Sequence, residues 1–311
     1  MVHKIVFQVF VSLVLLSCNN ENPAQNATNV AIFEKIEPVK TPVINGIITK
    51  DTLPANLVYS FLPSDSPQNL TDIIKAPKGY KRIAVENNSF AQWLRFLPVK
   101  PQSEQVRLYN GALKSNQNVH FAIINIDVGN KDLQQCADAV MRLKAEYHYA
   151  NKDFSKIHFN FTSGHTVAFT DWSKGKKPKI SGNKVSFSPF GSMTDTSYPN
   201  FRKYLEMIYN YAGTASLSKE LKAVAVEDMQ VGDVFIKGGF PGHAVLVMDM
   251  AENESGEKLF LLAQSYMPAQ DIHILKNYEN DSLSPWYSLD FGEQLNTPEW
   301  TFYKNNLKRF D

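Results

Sequence analysis

Short apolar runs separated by polar or glycine-rich segments dominate the second half of the chain. They fall at 234–236, 244–248 and 259–263. An earlier run at 119–128 is apolar and rich in β-branched residues, which favours a buried strand. Runs of this length with turn signals between them are typical of antiparallel strands.

Helical periodicity precedes the three later runs. Ser89 predicts an N-capped helix that ends before Pro98. Apolar residues at steps of three and four predict an amphipathic helix over about 133–149, with Asp132 as its N-cap, and a second one over 201–212. Helices followed by an antiparallel sheet predict an α+β fold.

The first residues have the pattern of a targeting segment. An apolar run follows Lys4 and ends at Leu15-Leu16-Ser17-Cys18, after which the chain turns abruptly polar. This run is too short to span a bilayer but has the length of a signal-peptide core. The stretch resembles the lipobox of bacterial lipoproteins, which implies cleavage before Cys18 and acylation of its thiol. The alternative is an ordinary cleaved signal with an incidental cysteine.

This interpretation divides the chain into three parts. Residues 1–17 are the predicted signal peptide, 18–55 a lipidated tether with a short strand near 46–49, and 56–311 a single α+β domain. The whole chain has 32 Lys and Arg against 31 Asp and Glu, and removal of the signal leaves equal numbers. The sequence contains no block of basic residues of the kind that binds nucleic acid, so nucleic acid is not expected as a partner.

The cysteine count singles out one thiol. The chain contains two cysteines, so a lipid on Cys18 leaves Cys136 without an intrachain disulfide partner. Its predicted place near a helix N-terminus favours a stabilised thiolate, with backbone N–H groups near a developing oxyanion. Cys136 also lies on the apolar face of that helix, so a buried structural cysteine is the alternative.

A histidine and an amide complete the candidate chemistry. His243 follows a glycine-rich turn at a strand start, and histidine is the natural base for a thiol. In a hairpin that pairs Met250 with Glu257 or Lys258, His243 lies opposite Gln264 or its neighbour. The Gln264 carbonyl can then accept the ring N–H and fix the tautomer. The histidines at 120, 148, 158, 165 and 273 lack metal-ligand spacing, so no metal and no cofactor are expected.

The order of these motifs resembles papain-like cell-wall cysteine peptidases of the NlpC type. The similar regions are Gln135-Cys136-Ala137, Gly232-Asp233-Val234-Phe235 and Gly242-His243-Ala244-Val245. The chain as a whole resembles an uncharacterised family of bacterial lipoproteins, a domain of unknown function found mainly in Bacteroidetes. That resemblance rests on the segments 135–140, 241–245 and 262–270.

The peptidase resemblance implies a fold and a set of roles. The fold is a papain-like core, in which a nucleophile-bearing helix packs on an antiparallel sheet, with a large insertion at about 150–222. Cys136 is the implied nucleophile, His243 the base and Gln264 its orienting partner. Gln135 and Gly242 are the candidates for substrate or oxyanion contacts.

The expected function is a thiol amidase or peptidase of the cell envelope. Its substrate is an amide of a peptidoglycan stem peptide, and a lipid anchor holds it at the outer membrane or a periplasmic face. The alternative is a non-catalytic lipoprotein that binds peptide or glycan through Trp93, Trp172 and Trp286. A degenerate hydrolase that serves as an assembly partner is a third interpretation.

Overall fold

A computed structural model describes residues 47–48, 57–62, 68–182 and 184–311. The predicted signal peptide, Cys18 and most of the predicted tether lie outside the described residues. Within the tether range, the short strand expected near 46–49 is present as Ile47–Ile48, which pairs antiparallel with Val85–Glu86.

Six α-helices lie within these described ranges. They are α1 (Leu70–Ile73), α2 (Phe90–Arg95), α3 (Cys136–Ala150), α4 (Phe169–Ser173), α5 (Tyr198–Tyr211) and α6 (Thr214–Glu220). Short 3-10 helices cover Phe154–Lys156, Val226–Asp228 and Lys304–Asn306. The expected cap of α2 is confirmed, because the Ser89 side chain accepts a hydrogen bond from the backbone N–H of Gln92 at 3.1 Å.

The strands are numbered in chain order. They are β1 (Ile47–Ile48), β2 (Tyr80–Arg82), β3 (Val85–Glu86), β4 (His120–Ile123), β5 (His158–Asn160), β6 (Thr166–Ala168), β7 (Pro178–Ser181), β8 (Lys184–Phe187), β9 (Lys222–Ala223), β10 (Val234–Lys237), β11 (His243–Asn253), β12 (Lys258–Gln264), β13 (His273–Leu275), β14 (Tyr287–Ser288), β15 (Gln294–Asn296), β16 (Thr301–Tyr303) and β17 (Leu307–Arg309). The three predicted apolar runs become β10, β11 and β12.

One large sheet organises the structure, and its described pairings are antiparallel. Its order is β4-β13-β12-β11-β10-β17-β9, with β14 also pairing with β12 and β2 with β11. With the helices, this sheet makes the fold α+β, as the sequence predicts.

Two hydrophobic clusters cover the two faces of this sheet. Along β11, Ala244 and Leu246 face the cluster that includes α3, whereas Val245 and Val247 face the other. A bulge between Val247 and Asp249 reverses this alternation further along the strand. By the alternation, His243 lies on the same face as Val245.

The region between α3 and β9 forms additional structure, where the insertion at about 150–222 is predicted. It contains the hairpins β5–β6 and β7–β8 and the helices α4, α5 and α6. Phe169 of α4 and Phe201 of α5 pack edge to face at 5.4 Å, and Tyr149 at the end of α3 stacks on Phe201 at 4.4 Å. These aromatic contacts attach the region to the C-terminal end of α3.

A buried carboxylate joins the N-terminal elements to the sheet. Asp249 of β11 accepts hydrogen bonds from Nε of Arg82 at 2.6 Å and Nε of Arg95 at 2.8 Å. All three side chains are at most 4% exposed. Asp249 thus belongs to an ion-pair cluster with Arg82 and Arg95.

Removal of the Asp249 carboxylate leaves two guanidinium groups buried without their shared partner. We expect Asp249→Ala to lower the free energy of unfolding by about 3–5 kcal/mol, as measured by urea denaturation. The exposed Lys131–Glu206 pair supplies the control, since Glu206→Ala should cost about 1 kcal/mol or less. Equal, small effects of both substitutions would contradict this role for Asp249.

Candidate functional site

The candidate residues lie at one end of the large sheet. His243 is the first residue of β11, Gln264 the last of β12 and Cys136 the first of α3. The loop before α3 is fastened to this end, because Ser265 Oγ donates to the carbonyl of Gln134 at 2.9 Å. The three side chains are buried, Cys136 with 8% exposure and the other two with 2% each.

The predicted hairpin register is wrong, although His243 and Gln264 do touch. Met250 pairs with Phe260 rather than with residue 257 or 258, because the turn is centred about one residue later in the chain than expected. The bulge in β11 then changes the offset, so that Leu246 pairs with Ala263. His243 and Gln264 are therefore diagonal neighbours on one face of the sheet rather than directly opposed residues.

The contact between them is a short hydrogen bond. Nε2 of His243 lies 2.8 Å from Oε1 of Gln264. Because a carbonyl oxygen only accepts, Nε2 carries the ring proton in the neutral imidazole. Nδ1 then holds the lone pair, and it makes no hydrogen bond with the part of the chain that the structure describes.

Aromatic rings enclose the imidazole. The ring centroid of His243 lies 4.9 Å from Tyr266, 5.3 Å from Trp300 and 5.9 Å from Phe302, whose plane is inclined by 23°. Burial lowers the pKa of His243 to about 4, with a smaller lowering effect from the charge of Lys114. The imidazole is therefore neutral at pH 7, and burial makes it a weaker base than an exposed histidine.

The thiol of Cys136 lies beside the same strand. The backbone N–H groups of Cys136, of Ala137 and of Ala244, the residue after His243, act to lower the pKa of this thiol. Burial nevertheless raises the pKa of Cys136 to about 11, and the neighbouring carboxyl of Asp138 acts in the same direction. The sequence analysis expected the helix N-terminus to stabilise a thiolate, and this expectation is wrong. The cost of removing a thiolate from water outweighs its stabilisation by the helix N-terminus and the nearby N–H groups.

Asp138 is itself an unusual neighbour for a thiol. Its Oδ2 accepts the backbone N–H of Gln135 at 3.1 Å, while Oδ1 is buried without a hydrogen-bond partner among the described residues. Burial raises the pKa of Asp138 well above its usual range. The surroundings of Cys136 therefore disfavour negative charge on both groups.

The helix begins later than predicted. Gln135, not Asp132, is the N-cap of α3, so Cys136 occupies its first position. The side chain of Asp132 instead accepts the backbone N–H of Ala269 at 2.7 Å and the amide of Gln135 at 3.1 Å. The Gln135 amide thus donates to Asp132, and the backbone N–H groups of Cys136 and Ala137 at the start of α3 act on the thiol.

Gly242 is fixed by packing. A Cβ at this position would lie 2.5 Å from the carbonyl oxygen of Gly239 and 2.8 Å from that of Lys237, and would also meet Thr214 at the start of α6. The residue must therefore be glycine for the turn before His243 to close. The sequence analysis named Gly242 as a candidate for substrate or oxyanion contacts. The structure gives a different reason for a glycine at this position, which is close packing.

The three tryptophans predicted to bind peptide or glycan do not lie on the surface. Trp93 and Trp286 are each 1% exposed and Trp172 is 5% exposed, so all three belong to the core. Trp300, which borders His243, is the tryptophan near the site. It precedes β16 in the C-terminal hairpin, far from the three motifs, and no spacing signal in the sequence connects it with them.

The same hairpin brings a second group that the sequence analysis missed. Oε2 of Glu299 accepts a hydrogen bond from Nε2 of Gln264 at 2.6 Å, and Oε1 pairs with Lys114 at 2.6 Å. Both side chains are largely buried, with 15% and 7% exposure. The acidic residue nearest to the His243–Gln264 pair is thus supplied by a loop, where tertiary contacts alone determine its neighbours.

The described residues contain neither a metal-ligand group nor a membrane-spanning helix. No group of three or more His, Cys, Asp or Glu side chains there is arranged to hold a metal ion. Of the helices that the structure describes, none has the length and apolarity needed to cross a membrane.

Fold and site together define an α+β protein with a buried thiol, imidazole and amide at one end of an antiparallel sheet. A family model described as "Domain of unknown function (4846)" matches residues 70–309, and the chain belongs to this family. Comparison with curated proteins and with solved structures found no match.

The raised pKa of Cys136 implies that its thiol is alkylated slowly in the native protein. Since its pKa rises from 9.0 to about 11, iodoacetamide should alkylate Cys136 about 100-fold more slowly at pH 7 in native than in urea-unfolded protein. The native rate should rise about tenfold per pH unit from pH 7 to pH 10. Mass spectrometry of the peptide containing Cys136 measures both rates. A native rate that levels off below pH 8 would contradict the assignment of a neutral thiol.

Proposed function

We propose that this protein is a thiol-dependent amidase or peptidase that acts on peptidoglycan stem peptides. The observation that carries the proposal is the hydrogen bond from His243 Nε2 to Gln264, which leaves Nδ1 as a free base at the sheet end where α3 begins with Cys136. A nucleophile, a base and a group that orients the base are the parts required for covalent acyl transfer.

The proposed reaction starts from a neutral pair. As Sγ of Cys136 attacks the amide carbonyl, the thiol proton moves to Nδ1 of His243. Backbone N–H groups at the start of α3 stabilise the oxyanion, and the imidazolium then protonates the departing amine. Water hydrolyses the resulting thioester, again giving its proton to Nδ1. The carboxylic acid leaves, and the free thiol is restored.

The remaining parts of the proposal concern fold type and place in the cell. A papain-like core is supported by the order of the elements: the cysteine helix, then the histidine strand, then the amide strand. The lipobox-like stretch ending at Cys18 supports a lipid anchor in the cell envelope, at the outer membrane or a periplasmic face. Stem peptides are abundant amides within reach of such an anchor.

One observation favours a second candidate function. The pKa of Cys136 is raised rather than lowered, as for a structural cysteine, which favours a non-catalytic protein that binds peptide or glycan with the same fold. Because the three predicted binding tryptophans are buried, its ligand would contact the surface near Tyr266 and Trp300 instead.

Purified sacculi and soluble muropeptides test the proposed reaction. The wild-type protein should release or shorten stem peptides, with products identified by liquid chromatography and mass spectrometry. Cys136→Ala should abolish this activity, and His243→Gln should reduce it at least about 100-fold, since general-base catalysis contributes about 10²–10⁴-fold.

His165 offers a matched control for the histidine substitution. It is an exposed histidine in the region between α3 and β9, so His165→Gln should retain wild-type activity. Identical product profiles for wild type and Cys136→Ala, over sacculi and muropeptides alike, would refute the enzymatic proposal and favour the binding function.

A further inference from the structure

The geometry points to Glu299 as a positioning residue that sets the tautomer of His243 through the amide of Gln264. This inference deepens the proposed function and rests on it for its catalytic meaning. The structural part concerns three side chains in a row: the imidazole, the amide and the carboxylate. Their contacts are 2.8 Å from His243 to Gln264 and 2.6 Å from Gln264 to Glu299.

The carboxylate end of this row determines how the amide is oriented. Glu299 pairs with the ammonium group of Lys114, and an ionised carboxylate only accepts hydrogen bonds. The amide atom that faces Glu299 must therefore be the NH₂ group of Gln264, since its carbonyl oxygen at 2.6 Å would repel the carboxylate. This fixes the orientation of the amide, which in general has to be inferred from its hydrogen-bond network.

The orientation of the amide then dictates the proton on the imidazole. With NH₂ toward Glu299, the Gln264 carbonyl faces Nε2 of His243, and Nε2 must carry the proton. Nδ1 is left as the basic nitrogen. In a reversed amide, NH₂ would face Nε2, which would favour the tautomer with its proton on Nδ1 and remove the base at that nitrogen.

His273 supports the same orientation. Its Nδ1 lies 2.9 Å from the carbonyl oxygen of Asp271, so Nδ1 carries the proton and Nε2 is an acceptor. That Nε2 lies 3.4 Å from Nε2 of Gln264, at the long end of hydrogen-bond distances. Both groups that face the Gln264 nitrogen are therefore acceptors, and Glu299 makes the shorter and charge-assisted contact.

The loop that carries Glu299 is well fixed. It joins β15 to β16, and the backbone N–H of Thr297 donates to the carbonyl of Trp300 at 2.8 Å. The Trp300 N–H returns a hydrogen bond to Thr297 Oγ1 at 3.1 Å. One turn thus holds the carboxylate against Gln264 and the Trp300 ring beside His243.

The tautomer of His243 is measurable without substrate. A long-range ¹H–¹⁵N spectrum of the ¹⁵N-labelled full chain at pH 8 distinguishes protonated from bare ring nitrogens, and His243→Gln assigns the signals by their loss. Wild type should show a protonated Nε2 and a bare Nδ1. In Glu299→Leu the two nitrogen shifts should move toward each other, because both tautomers become populated.

Two further variants separate tautomer control from loss of folding. Lys114→Met/Glu299→Leu replaces both ionic partners by apolar side chains, which avoids an unpaired buried ammonium group, and it should show the same convergence of shifts. Glu293→Gln alters an exposed glutamate next to the same hairpin and should leave the His243 shifts unchanged.

Unchanged His243 shifts in the folded double variant would overturn the role of Glu299. This outcome is distinct from failure of the proposed function. If wild type holds the Nε2–H tautomer and loses it in the double variant, yet cleaves no muropeptide, then the positioning role stands and its catalytic meaning falls.

Discussion

Hydrogen bonds between the loop before α3 and the loop after β12 determine where Cys136 lies. Ser265 donates to the carbonyl of Gln134, and Asp132 accepts the N–H of Ala269. Buried backbone groups need such partners, so these two hydrogen bonds hold the start of α3 against the end of the sheet. Together with the packing of α3 on β11, these hydrogen bonds place the thiol beside the strand that carries the imidazole.

Burial has opposite effects on the two groups that would exchange a proton. It raises the pKa of Cys136 and lowers that of His243, because a poorly solvated site disfavours both a thiolate and an imidazolium. The resting pair is therefore neutral. In the proposed reaction the proton moves as the sulfur attacks, and the protein must stabilise charge mainly on the oxyanion and the imidazolium that form together.

Local signals in the sequence predict much of the fold. The Ser89 cap, the apolar periodicity of α3 and the apolar runs of β10, β11 and β12 each appear where propensity and pattern indicate them. The α+β class follows from their order. These features depend on neighbours within a few residues, which is why the sequence alone shows them.

Features that depend on distant contacts were missed or wrong. The bulge at Val247 to Asp249 changes the register that brings His243 to Gln264, and no residue pattern announces it. Glu299 reaches Gln264 only because the hairpin β15–β16 folds back on the sheet. The pKa of Cys136 depends on how completely the helix end is buried, which position near an N-terminus does not reveal.

Direct detection of an acyl group on Cys136 is the measurement that tests the proposed function most sharply. Full-length protein is mixed with muropeptides, quenched in acid within the first turnovers and digested, and the peptide containing Cys136 is weighed by mass spectrometry. The proposed mechanism predicts a mass increase equal to the acyl part of the cleaved stem peptide, which neutral hydroxylamine removes. Cleaved products that accumulate without this adduct, and equally in Cys136→Ala, would contradict it.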